Sequence, residues 1–137
     1  MLAQLLISTS AAIVLFLGTL HLVYTFTTNK FCPRDSALED QLKRVSPVIS
    51  KQTTMWKAWV GFNASHSLGA MLFGALYGYF AIFRFQMLAK DGFLILIGAL
   101  FLASFLVLAK RYWFNIPLAG LAIALSLYVI GFALILV

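Results

Sequence analysis

One stretch of the chain decides its fold: Trp56-Lys-Ala-Trp-Val-Gly-Phe-Asn-Ala-Ser-His-Ser-Leu-Gly-Ala-Met-Leu-Phe-Gly-Ala-Leu-Tyr-Gly78. A helix needs about 20 mainly apolar residues to cross the hydrocarbon core of a bilayer, and this stretch is long enough. Four polar side chains lie in its interior, at Asn63, Ser65, His66 and Ser67. Unpaired polar groups are costly in hydrocarbon, so we expect these side chains to face other protein.

Small residues recur along the same stretch at four-residue spacing. They form two rows, Gly61, Ser65 and Gly69 followed by Ala70, Gly74 and Gly78. Rows of this kind let neighbouring backbones approach closely in a membrane, where tight packing drives helix association. Both rows are therefore expected to face inward and to pack against neighbouring helices.

The composition of the whole chain is that of a membrane protein. Of its 137 residues, 63% are hydrophobic and 10% are charged, whereas soluble domains carry about 25% charged residues. The formal net charge is +6, but the basic residues lie beside apolar stretches, which indicates membrane topology rather than nucleic acid binding. The one cysteine, Cys32, excludes an internal disulfide bond.

Four long apolar stretches predict an all-α fold, an integral membrane four-helix bundle that forms a single membrane domain over residues 1–137. The spans are predicted at about residues 2–26, 56–83, 93–109 and 115–136. A tight polar turn is expected between the second and third spans, with Asp91 as the N-cap of the third. Trp56 and Trp59 begin the second span, where aromatic rings favour the headgroup boundary.

The polar segment 27–55 is predicted to hold a short amphipathic helix at about residues 36–46. Its first residues, Ser36-Ala-Leu-Glu39, match a capping box, in which Ser36 and Glu39 satisfy the first free amides of the helix. Leu38, Leu42 and Val45 recur at helical spacing. We expect this helix to lie at the membrane surface, with its cations among phosphate headgroups.

Lys and Arg are divided unevenly between the two sides of the predicted bundle. The side with the 27–55 segment and the turn at 110–115 carries eight of them, and the side with the termini carries two. Because positive loops stay on the cytoplasmic side, we expect the 27–55 loop to be cytoplasmic and both termini to be outside. The membrane expected for this orientation is a bacterial inner membrane.

The two histidines of the chain, His21 and His66, both lie within predicted spans. Because the first two spans are antiparallel, the two imidazoles can lie at similar depth and face each other. Further polar residues share their helix faces and are expected as a surrounding shell: Asn63, Ser67, Tyr24 and Thr25.

Three interpretations of this pair are open. The histidines could form hydrogen bonds across the bundle that set helix register, each contributing under about 1 kcal/mol. They could be the two axial ligands of haem b, the iron of which would be the only metal expected. Alternatively, His66 and Asn63 could bind a carbonyl of a quinone or lipid. No catalytic residue is expected, since no carboxylate lies within a span and no second titratable partner is visible.

Three segments resemble a family of small, uncharacterised bacterial four-span membrane proteins. They are His21-Leu with Tyr24-Thr-Phe, then Phe31-Cys-Pro-Arg-Asp35, then Thr53 to Gly69 with its Gly-Phe-Asn-x-Ser-His-Ser-Leu-Gly run. The resemblance covers about the first 80 residues and implies the four-span fold, but no activity. The chain is also similar to DoxX-type bundles in helix count and size.

The function that these features favour is that of a non-catalytic accessory or assembly subunit of a larger membrane complex, or a self-associating protein. Small size, the two small-residue rows and the lack of a separate soluble module favour it. The alternatives are a bis-histidine haem b electron-transfer protein that uses His21 and His66, and a quinone- or lipid-binding pocket protein. The lipid bilayer is an expected partner, and nucleic acid is not.

Overall fold

The computed structural model describes residues 1–136, and every regular element among them is a helix. In chain order these are α1 (Leu2–Thr27), α2 (Ser36–Arg44), α3 (Met55–Phe83), α4 (Phe85–Lys90), α5 (Gly92–Tyr112) and α6 (Asn115–Leu136). Helices α1, α3, α5 and α6 are long and apolar enough to cross a membrane. The predicted fold is confirmed: an all-α integral membrane four-helix bundle with a short helix between the first two spans.

The chain forms two compact units. Unit 1 comprises Met1–Leu17 together with the chain from Ala70 onward, and unit 2 comprises Gly18–Gly69. Because the boundaries fall inside α1 and α3, each of these helices contributes to both units.

The core of unit 1 takes residues from all four long helices. Ile7 of α1, Leu102 of α5 and Tyr128 of α6 are almost completely buried. From α3, Phe73 stacks on the ring of Phe101, with ring centroids 4.5 Å apart. Acyl chains are as apolar as these side chains, so the hydrophobic effect does not drive helix association in a membrane. Van der Waals packing of this kind drives it instead.

One of the two small-residue rows does allow a close helix approach. A Cβ atom at Gly74 would lie 2.7 Å from both the carbonyl oxygen of Ala11 and the backbone nitrogen of Leu15. Ala70 is buried, and a Cβ at Gly78 would lie 3.8 Å from that of Ala11. The expectation that this row packs against a neighbouring helix is confirmed.

The other row makes no close approach to another helix, and its predicted inward orientation is wrong. A Cβ at Gly61 or Gly69 would meet no atom within 4 Å, and Ser65 is exposed, with its hydroxyl donating to the carbonyl oxygen of Phe62. The reason is the angular position of these residues around the axis of α3. At about 100° per residue, Ser65 lies about 200° around α3 from Asn63, and therefore on the opposite face.

Polar side chains in unit 1 bond to backbone carbonyls of neighbouring helices. The buried hydroxyl of Ser10 donates to the carbonyl oxygen of Ala124 at 2.7 Å. The Tyr77 hydroxyl donates to that of Leu94 at 2.6 Å. Such partners are needed because no water is present in the bilayer core to satisfy a buried polar group.

The exposed side chains of the long helices are largely apolar. Examples from the four helices are Phe16, Leu72, Leu100 and Ile130, each more than half exposed. In a bilayer these side chains contact the acyl chains of the lipid.

Two helix boundaries differ from the sequence prediction around α5. The segment expected to be a turn contains α4 (Phe85–Lys90), and α5 continues to Tyr112 rather than ending at residue 109. Lys110 and Arg111 therefore lie in the last turn of α5, where cations interact favourably with the helix dipole. Asp91 is the N-cap of α5, as predicted, and accepts hydrogen bonds from the amides of Phe93 and Leu94.

The amphipathic helix α2 is shorter than predicted and has a different cap. It ends at Arg44, because Val45 is extended and its carbonyl oxygen accepts from the amide of Met55. The capping box prediction is wrong: Asp35 is the N-cap and accepts from the amide of Ala37 at 2.9 Å. A carboxylate one residue earlier takes the role expected of the Ser36 hydroxyl.

Candidate functional site

Unit 2 brings the two histidines into contact. His21 lies on the last part of α1 and His66 on the first part of α3. Their ring centroids are 5.3 Å apart, and the planes meet at 70°, edge to face. Both side chains are half-buried. The two imidazoles therefore lie at the same depth and face each other, as an antiparallel arrangement of the first two spans predicts.

Asn63 links the two helices by a side-chain hydrogen bond. Its Oδ1 atom lies 2.8 Å from Nε2 of His21. The Nδ2 group of the same amide donates to the carbonyl oxygen of Trp59 at 2.8 Å, so Oδ1 is the acceptor and Nε2–H of His21 is the donor. Both ends of the amide are thus satisfied within unit 2.

Two aromatic residues complete the site, although their part in it was not predicted from the sequence. The ring of Phe31 packs on that of His21 with centroids 4.5 Å apart. The indole Nε1–H of Trp59 donates to the carbonyl oxygen of Phe31 at 3.0 Å and so ties the connecting segment to α3. The spacing of Trp59, Asn63 and Ser67 along one helical face was the available signal. We call His21, Phe31, Asn63 and His66 the histidine cluster.

Thr25 and Ser67, predicted as members of the surrounding shell, bond to the backbone of their own helices. The Thr25 hydroxyl donates to the carbonyl oxygen of His21 at 2.8 Å. The Ser67 hydroxyl, which is fully buried, donates to the carbonyl oxygen of Asn63, also at 2.8 Å. Through these bonds both residues contact the backbone of His21 and of Asn63.

Tyr24, also predicted as a member of the surrounding shell, contacts the connecting segment. Its ring lies under the ammonium group of Lys30, 3.9 Å from the nitrogen. Its carbonyl oxygen accepts from the hydroxyl of Thr28 at 2.9 Å. Through these contacts Tyr24 joins the end of α1 to the start of the connecting segment.

The cluster does not fit haem. Axial imidazoles bind a haem iron from opposite faces, with the macrocycle between them. Here the rings of His21 and His66 are in contact, Phe31 covers His21, and Nε2 of His21 already donates to Asn63. The described side chains leave no slot for a macrocycle between the two imidazoles.

The hydrogen bonds of the cluster join two helices and occupy polar groups of the Asn63 amide. A quinone or lipid carbonyl is an acceptor, so at the Asn63 amide it would bind Nδ2–H, one hydrogen of which already goes to the carbonyl of Trp59, whereas Oδ1 already accepts from His21. As arranged, the cluster joins the end of α1 to the start of α3. Interhelical hydrogen bonds of this kind contribute about 0.6 kcal/mol on average in a membrane, and less than about 2 kcal/mol at most.

The fold defines a class of protein, the small polytopic α-helical membrane proteins. Its four long helices are apolar, and a hydrogen bond between His21 and Asn63 joins the first two of them. Comparison of the chain with protein-family models, with curated proteins and with solved structures gives no match.

Replacing Asn63 with leucine is expected to weaken the contact between α1 and α3 without unfolding the protein. His21 loses its acceptor and Trp59 loses a donor, so unit 2 should lose about 1 kcal/mol of stability. Hydrogen exchange of the amides near residues 18–27 and 55–66 should speed up. The matched control is Ser65→Ala, on the opposite face of α3, which should leave exchange unchanged. Equal exchange in both variants would contradict the structural role of the cluster.

Proposed function

We propose that this protein is a non-catalytic accessory or assembly subunit that packs against a transmembrane helix of a larger membrane complex. The observation that carries the proposal is the unpacked row of small residues on α3, which we call the open face: Gly61, Ser65 and Gly69. A Cβ at either glycine would meet no atom within 4 Å, so intramolecular packing gives no reason for the small size of these residues.

The open face has the form of a groove between larger side chains. Phe62 is 76% exposed and Leu68 is 55% exposed, and both lie beside the row. A glycine in a helix costs about 1 kcal/mol relative to alanine, and two of them at an exposed face gain nothing within the chain. A row of small residues at this spacing accepts a closely packed helix, where it recovers that cost through packing contacts.

Purification of the full chain from its native membrane in mild detergent tests this proposal. We expect the protein to be colourless and to co-migrate with larger proteins on a native gel. Ser65→Leu should release it, because a leucine fills the groove, whereas Ser104→Leu on an exposed face of α5 should not. Migration as a monomer before any substitution would contradict the proposal, and migration as a dimer would favour self-association instead.

The absorption spectrum of the same preparation tests the haem alternative. A Soret band that disappears in both His21→Ala and His66→Ala would favour the electron-transfer protein. A spectrum without this band, unchanged in both variants, agrees with the accessory role.

The orientation of the chain in the membrane and its membership of the small four-span family are parts of the same proposal. We place the 27–55 loop in the cytoplasm of a bacterium and both termini outside its inner membrane, on the basis of the eight Lys and Arg residues on one side. The Gly-Phe-Asn-x-Ser-His-Ser-Leu-Gly run supports membership of the small four-span family. A membrane-impermeant maleimide should label Gln52→Cys, in a Cys32→Ser background, only after the cells are permeabilised. Labelling of intact cells would reverse the orientation.

A further inference from the structure

A cleft in unit 2 lies beside the histidine cluster and shares one wall residue, Phe31, with it. Its volume is about 430 Å³, it is shallow and widely open to its surroundings, and its walls are mainly apolar. The lining residues come from the connecting segment, from α2 and from the start of α3: Lys30, Phe31, Cys32, Pro33, Leu42 and Trp59. This volume is within the range of about 300–1,000 Å³ of sites that bind small molecules.

The walls of the cleft are held together by hydrogen bonds. The indole of Trp59 donates to the carbonyl oxygen of Phe31 at 3.0 Å. The amide of Met55 donates to the carbonyl oxygen of Val45 at 2.8 Å, which joins the end of α2 to the start of α3. A ligand would therefore enter a cleft that is already formed, and little ordering would be needed on binding.

The cleft lies where a span meets water and carries a cation at its rim. Phe31 follows α1, which ends at Thr27, and Trp59 lies in the first turns of α3. Lys30 is exposed, and the ring of Tyr24 orients its ammonium group at 3.9 Å. Residues 30–57 contain six Lys and Arg but three Asp and Glu, so the field around the cleft is positive.

We infer that this cleft binds a phospholipid with an anionic headgroup. The phosphate lies at Lys30, and the upper part of an acyl chain lies against Phe31, Leu42 and Trp59. Charge complementarity selects the headgroup, and the apolar walls at the level of the headgroup boundary select a lipid over free phosphate. This site is separate from the open face of α3, so it goes beyond the accessory role and does not depend on it.

Native mass spectrometry of the full chain in mild detergent tests the inference with phosphatidylglycerol and phosphatidylcholine of matched acyl chains. We expect phosphatidylglycerol to be retained preferentially. Lys30→Gln should lower its binding about fivefold, since a lysine at the surface contributes about 1 kcal/mol to the binding of an anionic lipid. Lys51→Gln, an exposed cation of the same segment outside the cleft, should retain the preference. Equal retention of the two lipids, or an equal loss in both variants, would overturn the inference.

Cys32 provides a second readout because it lines the cleft and is the only cysteine of the chain. In nanodiscs that contain phosphatidylglycerol, its reaction with N-ethylmaleimide should be slower than in phosphatidylcholine alone. The matched control carries Cys32→Ser with Gln52→Cys, which places an exposed thiol in the same surface potential. Equal slowing at both positions would indicate a general surface effect and would overturn the inference.

Discussion

Gly74→Val is expected to destabilise the bundle by about 3 kcal/mol, at the upper end of the usual cost of overpacking. A Cβ at this position would lie 2.7 Å from the backbone of both Ala11 and Leu15, and backbone atoms cannot move away as the end of a side chain can. Helices α1 and α3 would have to separate within unit 1. Unfolding in mixed micelles of a mild detergent and SDS, followed by far-ultraviolet circular dichroism, measures the change.

Gly61→Val is the matched control for this substitution. It makes the same chemical change on the same helix, but at a position where a Cβ meets no atom within 4 Å. We expect its stability in detergent to lie within about 0.5 kcal/mol of that of the unmodified chain. Equal destabilisation by the two substitutions would show that valine disfavours α3 by itself, and the close approach at Gly74 would then have no special role.

The second large effect is expected from Tyr128→Ala, which should cost about 3–5 kcal/mol. Tyr128 is 1% exposed and lies among the rings of Tyr77 and Phe132, at centroid distances of 5.8 and 4.8 Å. Removing the ring leaves a cavity lined by side chains that lose their packing partners. The same unfolding experiment in mixed micelles measures this loss.

Tyr128→Phe separates the contribution of the ring from that of the hydroxyl. The hydroxyl donates to the carbonyl oxygen of Ile95 at 3.0 Å, and loss of this bond alone should cost about 1 kcal/mol. Phenylalanine keeps the packing, so this variant should be much closer to the unmodified chain than Tyr128→Ala. If the two variants were equally unstable, the hydrogen bond rather than the packing of the ring would hold α5 and α6 together.

The histidine cluster was only partly accessible from the sequence. His21, Asn63 and His66 could be identified because polar side chains within an apolar span need a partner. The direct bond between His21 and Asn63, by contrast, depends on the rotation of two helices about their axes. Phe31 could not be assigned, because it lies in an irregular segment where no periodicity indicates the direction of a side chain.

The two rows of small residues show more clearly that the sequence does not predict which helix faces meet. They have the same spacing and nearly the same composition, and they lie on one helix. The row at Ala70, Gly74 and Gly78 is packed against α1, whereas a Cβ at Gly61 or Gly69 of the open face would meet no atom within 4 Å. Spacing alone shows that a close approach is allowed, and it does not show whether a neighbour is present.

The sequence by itself determined that this is a four-span, all-helical membrane protein with a short helix between the first two spans. That result follows because a bilayer requires about 20 apolar residues per span and internal satisfaction of every backbone group, and both conditions are local along the chain. Only the tertiary structure decided which polar residues meet, which glycines are packed and that a cleft forms at Lys30 and Trp59. These features depend on how helices distant in sequence rotate and approach, and no local pattern encodes that.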